Sequence, residues 1–170
     1  MAIQQTLIRA ILTSKRVAVG SIATAGVVSL IASFEGFSTS AYIPVKGDVP
    51  TIGYGQTYYA DGQRVMLGDV ITEQIARQQL AELVKRDFIE QVARCVSVPL
   101  TQGEFSAYVS LAYNIGTTAF CGSTLVKKLN AGDYTGACSQ ILRWNKSGGR
   151  VLRGLQNRRF EEYKLCMGVG

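Results

Sequence analysis

Between Arg16 and Glu35 the chain runs for 18 residues, Val17 to Phe34, without a charge. Such a run has to be buried, in lipid or in protein, because leaving its apolar atoms in water forfeits the main driving force of folding. As one helix it would reach about 27 Å at about 1.5 Å per residue, slightly short of a hydrocarbon core of roughly 30 Å. Ten of the 18 are Gly, Ala, Ser or Thr, which makes it a weak membrane helix. Arg9, Lys15 and Arg16 precede it, so insertion would leave the N-terminus in the cytoplasm and the rest outside. Three fates compete. A leader cut after Ala23-Thr24-Ala25 would keep only Val17 to Ile22 as its apolar part, too short to convince. A helix buried in the core of a cytosolic domain is the second. The third is an anchor that enters the bilayer, is not cleaved, and later leaves to refold onto the domain; weak hydrophobicity favours it over a permanent span.

Phe34-Glu35-Gly36 closes the run. A carboxylate at an apolar helix end is placed to have its pKa raised, as a general acid working near neutral pH requires. The segment that follows reads as a tight hairpin. Tyr42, Ile43 and Val45 lead into the turn Lys46-Gly47-Asp48, and Thr51-Ile52-Gly53-Tyr54-Gly55 returns. Asp48 and Thr51 offer a second carboxylate and a hydroxyl that can face Glu35. Two carboxylates across a cleft are the minimum for cutting a glycosidic bond.

The chain has no histidine, which removes Ser-His-Asp and Cys-His catalysis and every His-ligated zinc site. Among enzymes that cut bacterial cell walls, carboxylate-based glycosidases remain. No metal or organic cofactor is implied. The net charge of +6 points to an anionic partner, such as a cell wall or an acidic membrane surface. The basic residues are spread along helices rather than interleaved with aromatics, which argues against nucleic acid. A length of 170 residues suits one domain with an appendage: 1–34 as the anchor, 35–170 as a monomeric catalytic domain.

Cys95, Cys121, Cys138 and Cys166 form no close pair with metal-ligand spacing, so two disulfides in an oxidising compartment are expected, against four thiols in a cytosolic protein. Cys138 lies early in one helix and Cys166 at the end of the last. Cys95 ends a long helix and Cys121 follows the next. These placements favour Cys138–Cys166 and Cys95–Cys121; the two other connectivities stay open.

From Thr72 the period becomes helical, with Ala76, Leu80, Leu83, Val84, Phe88 and Val92 on one face of a long helix ending near Cys95. Pro99 interrupts. Thr101-Gln102-Gly103-Glu104 is a capping box opening the next helix, and Gly116 is placed to close it. Shorter helices are expected over Ser123–Asn130, Asp133–Trp144 and Gly154–Cys166. The fold class is α+β: a small β-hairpin lobe and a mostly helical C-terminal lobe joined by the long helix, with a cleft between them for an extended polymer.

These blocks resemble the bacteriophage lysozymes of glycoside hydrolase family 24 over roughly residues 28 to 166. The specific part is Glu35-Gly36 through Thr51-Ile52-Gly53-Tyr54-Gly55, with Tyr113-Asn114-Ile115-Gly116 and Leu155-Gln156-Asn157-Arg158-Arg159 behind it. The resemblance implies a lysozyme-like fold and a muramidase acting on peptidoglycan to lyse the host. It makes Glu35, Asp48 and Thr51 the catalytic set and places Tyr54, Asn114 and Arg158 at the substrate. Arg158 and Arg159 have an alternative use in pairing with Glu161 and Glu162 on their own helix. Asp48 departs from the family spacing, which puts eight residues between Glu and Asp and five between Asp and Thr. Pro44 stands at the usual position, and Asp48 is the one carboxylate between Glu35 and Thr51. That departure keeps a lytic transglycosylase in view, beside a glycosidase of chitin-like polymers and a wall-binding module without activity. The apolar run resembles the signal-arrest-release segments of some phage lysozymes. This implies inner-membrane residence with Glu35 held at the bilayer surface, then periplasmic activity once the helix is extracted, with membrane depolarisation as the trigger.

Overall fold

The computed structural model describes residues 15–19 and 24–169. The elements run α1 (Ala25–Phe34), β1 (Ser38–Tyr42), β2 (Thr51–Gly53), α2 (Glu73–Leu83), a π-helical stretch (Val84–Ile89), α3 (Glu90–Cys95), α4 (Gln102–Ile115), α5 (Thr117–Cys121), α6 (Thr124–Asn130), α7 (Tyr134–Ile141), β3 (Lys146–Ser147), β4 (Arg150–Val151) and α8 (Arg153–Met167). The two sheets are separate antiparallel pairs, β1–β2 and β3–β4.

The centre of the molecule is α4, buried from Gly103 to Ala112. Thr101 Oγ1 accepts from the Glu104 N–H at 3.1 Å and Glu104 Oε2 accepts from the Thr101 N–H at 2.8 Å, so the expected capping box is present. Gly116 ends the helix at φ +88°, a backbone that a side chain would strain. Against α4 pack α8 and α1. α1 presents Val27, Val28, Ile31 and Ala32 to the core. The spacing 27, 28, 31, 32 is one helical face, and it is this face rather than the whole run that is buried.

The uncharged run is therefore not one helix. Val17 is extended and pairs with Leu100, donating at 2.8 Å and accepting at 2.9 Å. The helix begins at Ala25, and residues 20–23 lie outside the described residues. Among the described residues no helix is long and apolar enough to cross a membrane. Arg16 anchors the strap: its Nη2 donates to Glu104 Oε1 at 2.7 Å while its guanidinium stacks 3.7 Å above the Tyr134 ring.

The long connecting helix is continuous from Glu73 to Cys95 but carries a π-helical stretch in its middle. The sequence supplies the reason. Ala76, Leu80, Val84, Phe88 and Val92 repeat every four residues, a period that drifts around a regular α-helix. Underwinding through i→i+5 bonding brings the row back toward one face. Ala76, Leu80, Val84 and Val92 are each 0 % exposed.

The disulfides join Cys95 to Cys121, with Cα atoms 5.6 Å apart, and Cys138 to Cys166, with Cα atoms 5.7 Å apart. The first ties α3 to the end of α5 and the second ties α7 to α8. In the chain-entropy view each such loop contributes about 3 kcal/mol. The α5 helix and the β3–β4 hairpin, which turns on Gly148 and Gly149, were not expected from the sequence.

Candidate active site

Glu35 caps the C-terminal end of α1. Its backbone is extended, its N–H still donates to Ile31 O at 3.1 Å, and its side chain is 27 % exposed. The neighbourhood is not purely apolar, as the sequence suggested. Arg158 Nη1 donates to Glu35 Oε1 at 2.9 Å, and the same guanidinium lies 4.8 Å over the Phe34 ring.

Arg158, expected at the substrate, is placed against Glu35. It is 8 % exposed, and its Nε gives to Glu162 Oε1 at 3.2 Å and its Nη2 to the Ser110 carbonyl at 3.4 Å. Of the two partners expected on its own helix, Glu162 is used, whereas Glu161 pairs with Lys164 at 2.8 Å.

Glu162 is fully buried. It accepts from Ser110 Oγ at 2.6 Å, and its Oε2 lies 3.2 Å from Arg159 Nε without the angle a hydrogen bond needs. Arg159 is also 0 % exposed, and its Nη2 donates to Asn114 Oδ1 at 2.7 Å. Burial pushes the Glu162 carboxyl up, with Arg159, Ser110 and Arg158 pulling it back. Burial draws Arg159 down to about 10. Both directions express one cost, that of charge removed from water. Asn114 itself is exposed, and the bond from Arg159 goes to its amide oxygen. Tyr113, beside it, is pushed up to about 12 by burial first and by the Glu35 charge second.

The hairpin lobe places the other candidates. β1 starts three residues after Glu35, and β2 pairs with it through Ser38–Gly53 and Tyr42–Thr51. Thr51 is 6 % exposed and its hydroxyl donates to Val49 O at 3.2 Å. Asp48 sits on the exposed loop between the strands, its N–H donating to Val45 O at 2.9 Å. Among the described residues its carboxylate has no ion pair. Gly53, at φ +63°, fixes the return strand, because a Cβ there would meet Gln56 Oε1 and the Ala76 side chain.

Tyr54, also expected at the substrate, is buried. It is 3 % exposed, its hydroxyl donates to Glu73 Oε1 at 3.1 Å, and its ring packs 5.2 Å from that of Phe37. It ties the hairpin to α2. Trp144 is half-buried against the core.

A cavity of about 550 Å³ opens beside Arg158, lined by Phe34, Leu152, Gly154, Leu155, Asn157 and Glu161 together with Arg158 itself. Glu35, Asp48 and Thr51 are not in its lining, so the cavity flanks the acid rather than containing the set. Among the described residues no cluster of three carboxylates and thiols is gathered as a metal ion would need. Sequence reasoning passed over Ser110, whereas it reads Arg159 and Glu162 as an alternative pairing on one helix. Their signal was the i, i+3, i+4 spacing of Arg158, Arg159 and Glu162 on a helix face that also carries Cys166.

The chain is similar to known proteins along most of its length. The chain is 43 % identical over 141 residues to the endolysin of Bacillus phage B103, covering 82 % of this chain and 52 % of that protein, so it spans about half the length of that relative. It is 35 % identical over 136 residues to the SAR-endolysin of Bacteriophage PS119, covering 78 % of this chain and 76 % of that one. The solved endolysin from Escherichia coli O157:H7 phage FAHEc1 superposes with a TM-score of 0.76 at 37 % identity, over 84 % of this chain and 91 % of that one. The model of the phage lysozyme family matches residues 32–162, from the last turns of α1 to Glu162 in α8. The chain belongs to the phage lysozyme family.

Proposed function

We propose that this chain is a phage endolysin that hydrolyses the β-1,4 bond between N-acetylmuramic acid and N-acetylglucosamine in peptidoglycan. The observation that carries the reading is the contact between Glu35 and Arg158 across 123 residues, at the two ends of the segment matched to the family. Glu35 gives its proton to the glycosidic oxygen as the bond breaks, a role worth about 10²–10⁴-fold in rate. Asp48, exposed and without an ion-pair partner among the described residues, takes a proton from water on the opposite face of the sugar. Thr51 has already committed its hydroxyl proton to Val49 O, so its oxygen accepts from that water and holds it. Attack from the opposite face inverts the anomeric centre and needs carboxyl groups about 6.5–9.5 Å apart. Asn114 donates its amide to the saccharide.

The N-terminal segment, residues 1–34, acts first as an uncleaved anchor in the host inner membrane, with its N-terminus in the cytoplasm. The apolar face of α1 has two hosts, lipid or the flank of α4. In the folded protein it occupies the second, with Arg16 and Val17 securing the strap. The relatedness to a SAR-endolysin supports this reading. Glu35 follows α1 directly, so a helix held in lipid keeps the acid away from Arg158, and extraction into the periplasm completes the site.

Mass spectrometry of peptidoglycan digested by the purified protein tests the chemistry. Reducing-end muropeptides are expected, anhydro products would mean a lytic transglycosylase, and no release would leave a binding module. For the anchor, cell fractionation should find the intact chain, with Met1 or Ala2 at its N-terminus, in the inner membrane and later in soluble periplasm. A chain beginning after Ala25 would replace the reversible anchor with a cleaved leader.

A further inference from the structure

One buried carboxylate stands behind both arms that reach the open face of the site. Glu162, 0 % exposed, holds Arg158 at 3.2 Å and Arg159 at 3.2 Å. Arg158 then holds Glu35 at 2.9 Å, and Arg159 holds Asn114 at 2.7 Å. We propose that Glu162 is a positioning residue whose charge sets how firmly Arg158 grips Glu35, and so the pH range over which the enzyme works. The inference rests on the reading of Glu35 as general acid.

The cluster holds two guanidiniums and two carboxylates, so it is neutral when Glu35 is ionised and carries one positive charge when Glu35 is protonated for its task. Removing the charge of Glu162 leaves Glu35 as the one carboxylate of the cluster, and the protonated state then carries two positive charges. Like charges at this spacing and burial are strongly disfavoured, so activity should be lost at lower pH. Removing the charge of Arg159 acts in the opposite sense. It frees Glu162 to draw Arg158 back, and activity should persist to higher pH.

The other groups packed here do not compete in the working range. From α4 the neighbours are the Ser110 hydroxyl, the Asn114 amide and Tyr113, whose phenol stays protonated up to about 12. From α1 the one charged neighbour is Glu35 itself. On α8, Glu161 and Lys164 satisfy each other, and Cys166 is locked to Cys138 of α7.

The test is the pH profile of muropeptide release by Glu162→Gln, Glu162→Asp and Arg159→Gln. The alkaline limb should move down by roughly one pH unit in Glu162→Gln, move up in Arg159→Gln and stay near wild type in Glu162→Asp. A uniform loss at every pH, or limbs that coincide, would overturn the proposal. Because these side chains are buried and a variant can fail to fold, a second measurement uses Glu35→Gln, altered only at the open face. Carboxyl ¹³C titration should find the Glu162 midpoint lower in Glu35→Gln than in wild type, since the coupling is reciprocal. An unchanged midpoint would defeat the inference by itself. Wild-type protein that releases no muropeptides at any pH would instead defeat the reading of function, and the ¹³C arm would still decide the coupling.

Discussion

Two carboxylates are buried at α4, Glu104 in its first turn and Glu162 of α8 against its Ser110, and each is paired with arginine. Glu104, 3 % exposed, completes the cap of its own helix and receives Arg16, whose side chain is 43 % exposed. Glu162, fully buried, receives Arg158 and Arg159, whose side chains are 9 % and 0 % exposed. An arginine that keeps nearly half its surface in water can leave its partner at small cost. Two that are sealed cannot. The first pair suits a segment that docks late, and the second suits charges that must stand in place before the substrate arrives. The same helix therefore closes the fold at its start and arms the site at its end.

Breaking the site end should cost activity and leave the fold. Glu35→Gln removes a titrating proton and almost no volume, and turnover measured as muropeptide release should fall by about 10³-fold. Asp48→Asn should follow, with a loss of about 10²-fold if that residue activates water; wild-type turnover in a folded variant would remove it from the mechanism.

Breaking the other end should do the reverse. Arg16→Ala leaves Glu104 with the Thr101 N–H as its main partner, and the protein should lose about 2 kcal/mol, less than for a fully sealed pair. The melting midpoint should drop by roughly 5 °C, with turnover per folded molecule unchanged at low temperature. An unaltered melt would mean that the strap contributes nothing.

The smallest effect concerns Tyr113, which lies beside the site but should report on stability. Its pKa is raised from the ordinary 10 to about 12, so the fold favours the neutral phenol. That contribution is intact below pH 10 and is lost as pH rises toward 12. Tyr113→Phe should flatten this part of the decline in denaturation midpoint. Part of it should persist, because burial also raises Tyr108. Identical alkaline slopes in the two proteins would show that Tyr113 is not the group responsible.

The same contrast explains what was legible in the sequence. Local signals were plain: the Thr101–Glu104 box, Gly116 as a stop, the four-residue row from Ala76 to Val92, and Glu35 at the end of an apolar run. The bend of that row into a π-helical stretch follows from its period but was not anticipated. The β3–β4 hairpin stayed hidden because its strands are two residues each and follow no alternation. Long-range pairings were the real limit. Arg16 reads as the flank of a membrane segment, and nothing local joins it to Glu104, 88 residues on. Arg158 reads as a cation for an acidic wall or as a partner of Glu161 and Glu162; its spacing shows the pairing with Glu162 but not the contact with Glu35, 123 residues away. The bond from Tyr54 to Glu73 is likewise one that burial makes and spacing does not reveal.

The most direct measurement is a thermal melt and a muropeptide assay run on the same samples of wild type, Glu35→Gln and Arg16→Ala. The account predicts that Glu35→Gln keeps the wild-type melt and releases almost no product, whereas Arg16→Ala melts lower and, where folded, turns over at the wild-type rate. Product release by Glu35→Gln at the wild-type rate, or turnover lost in folded Arg16→Ala, would contradict it.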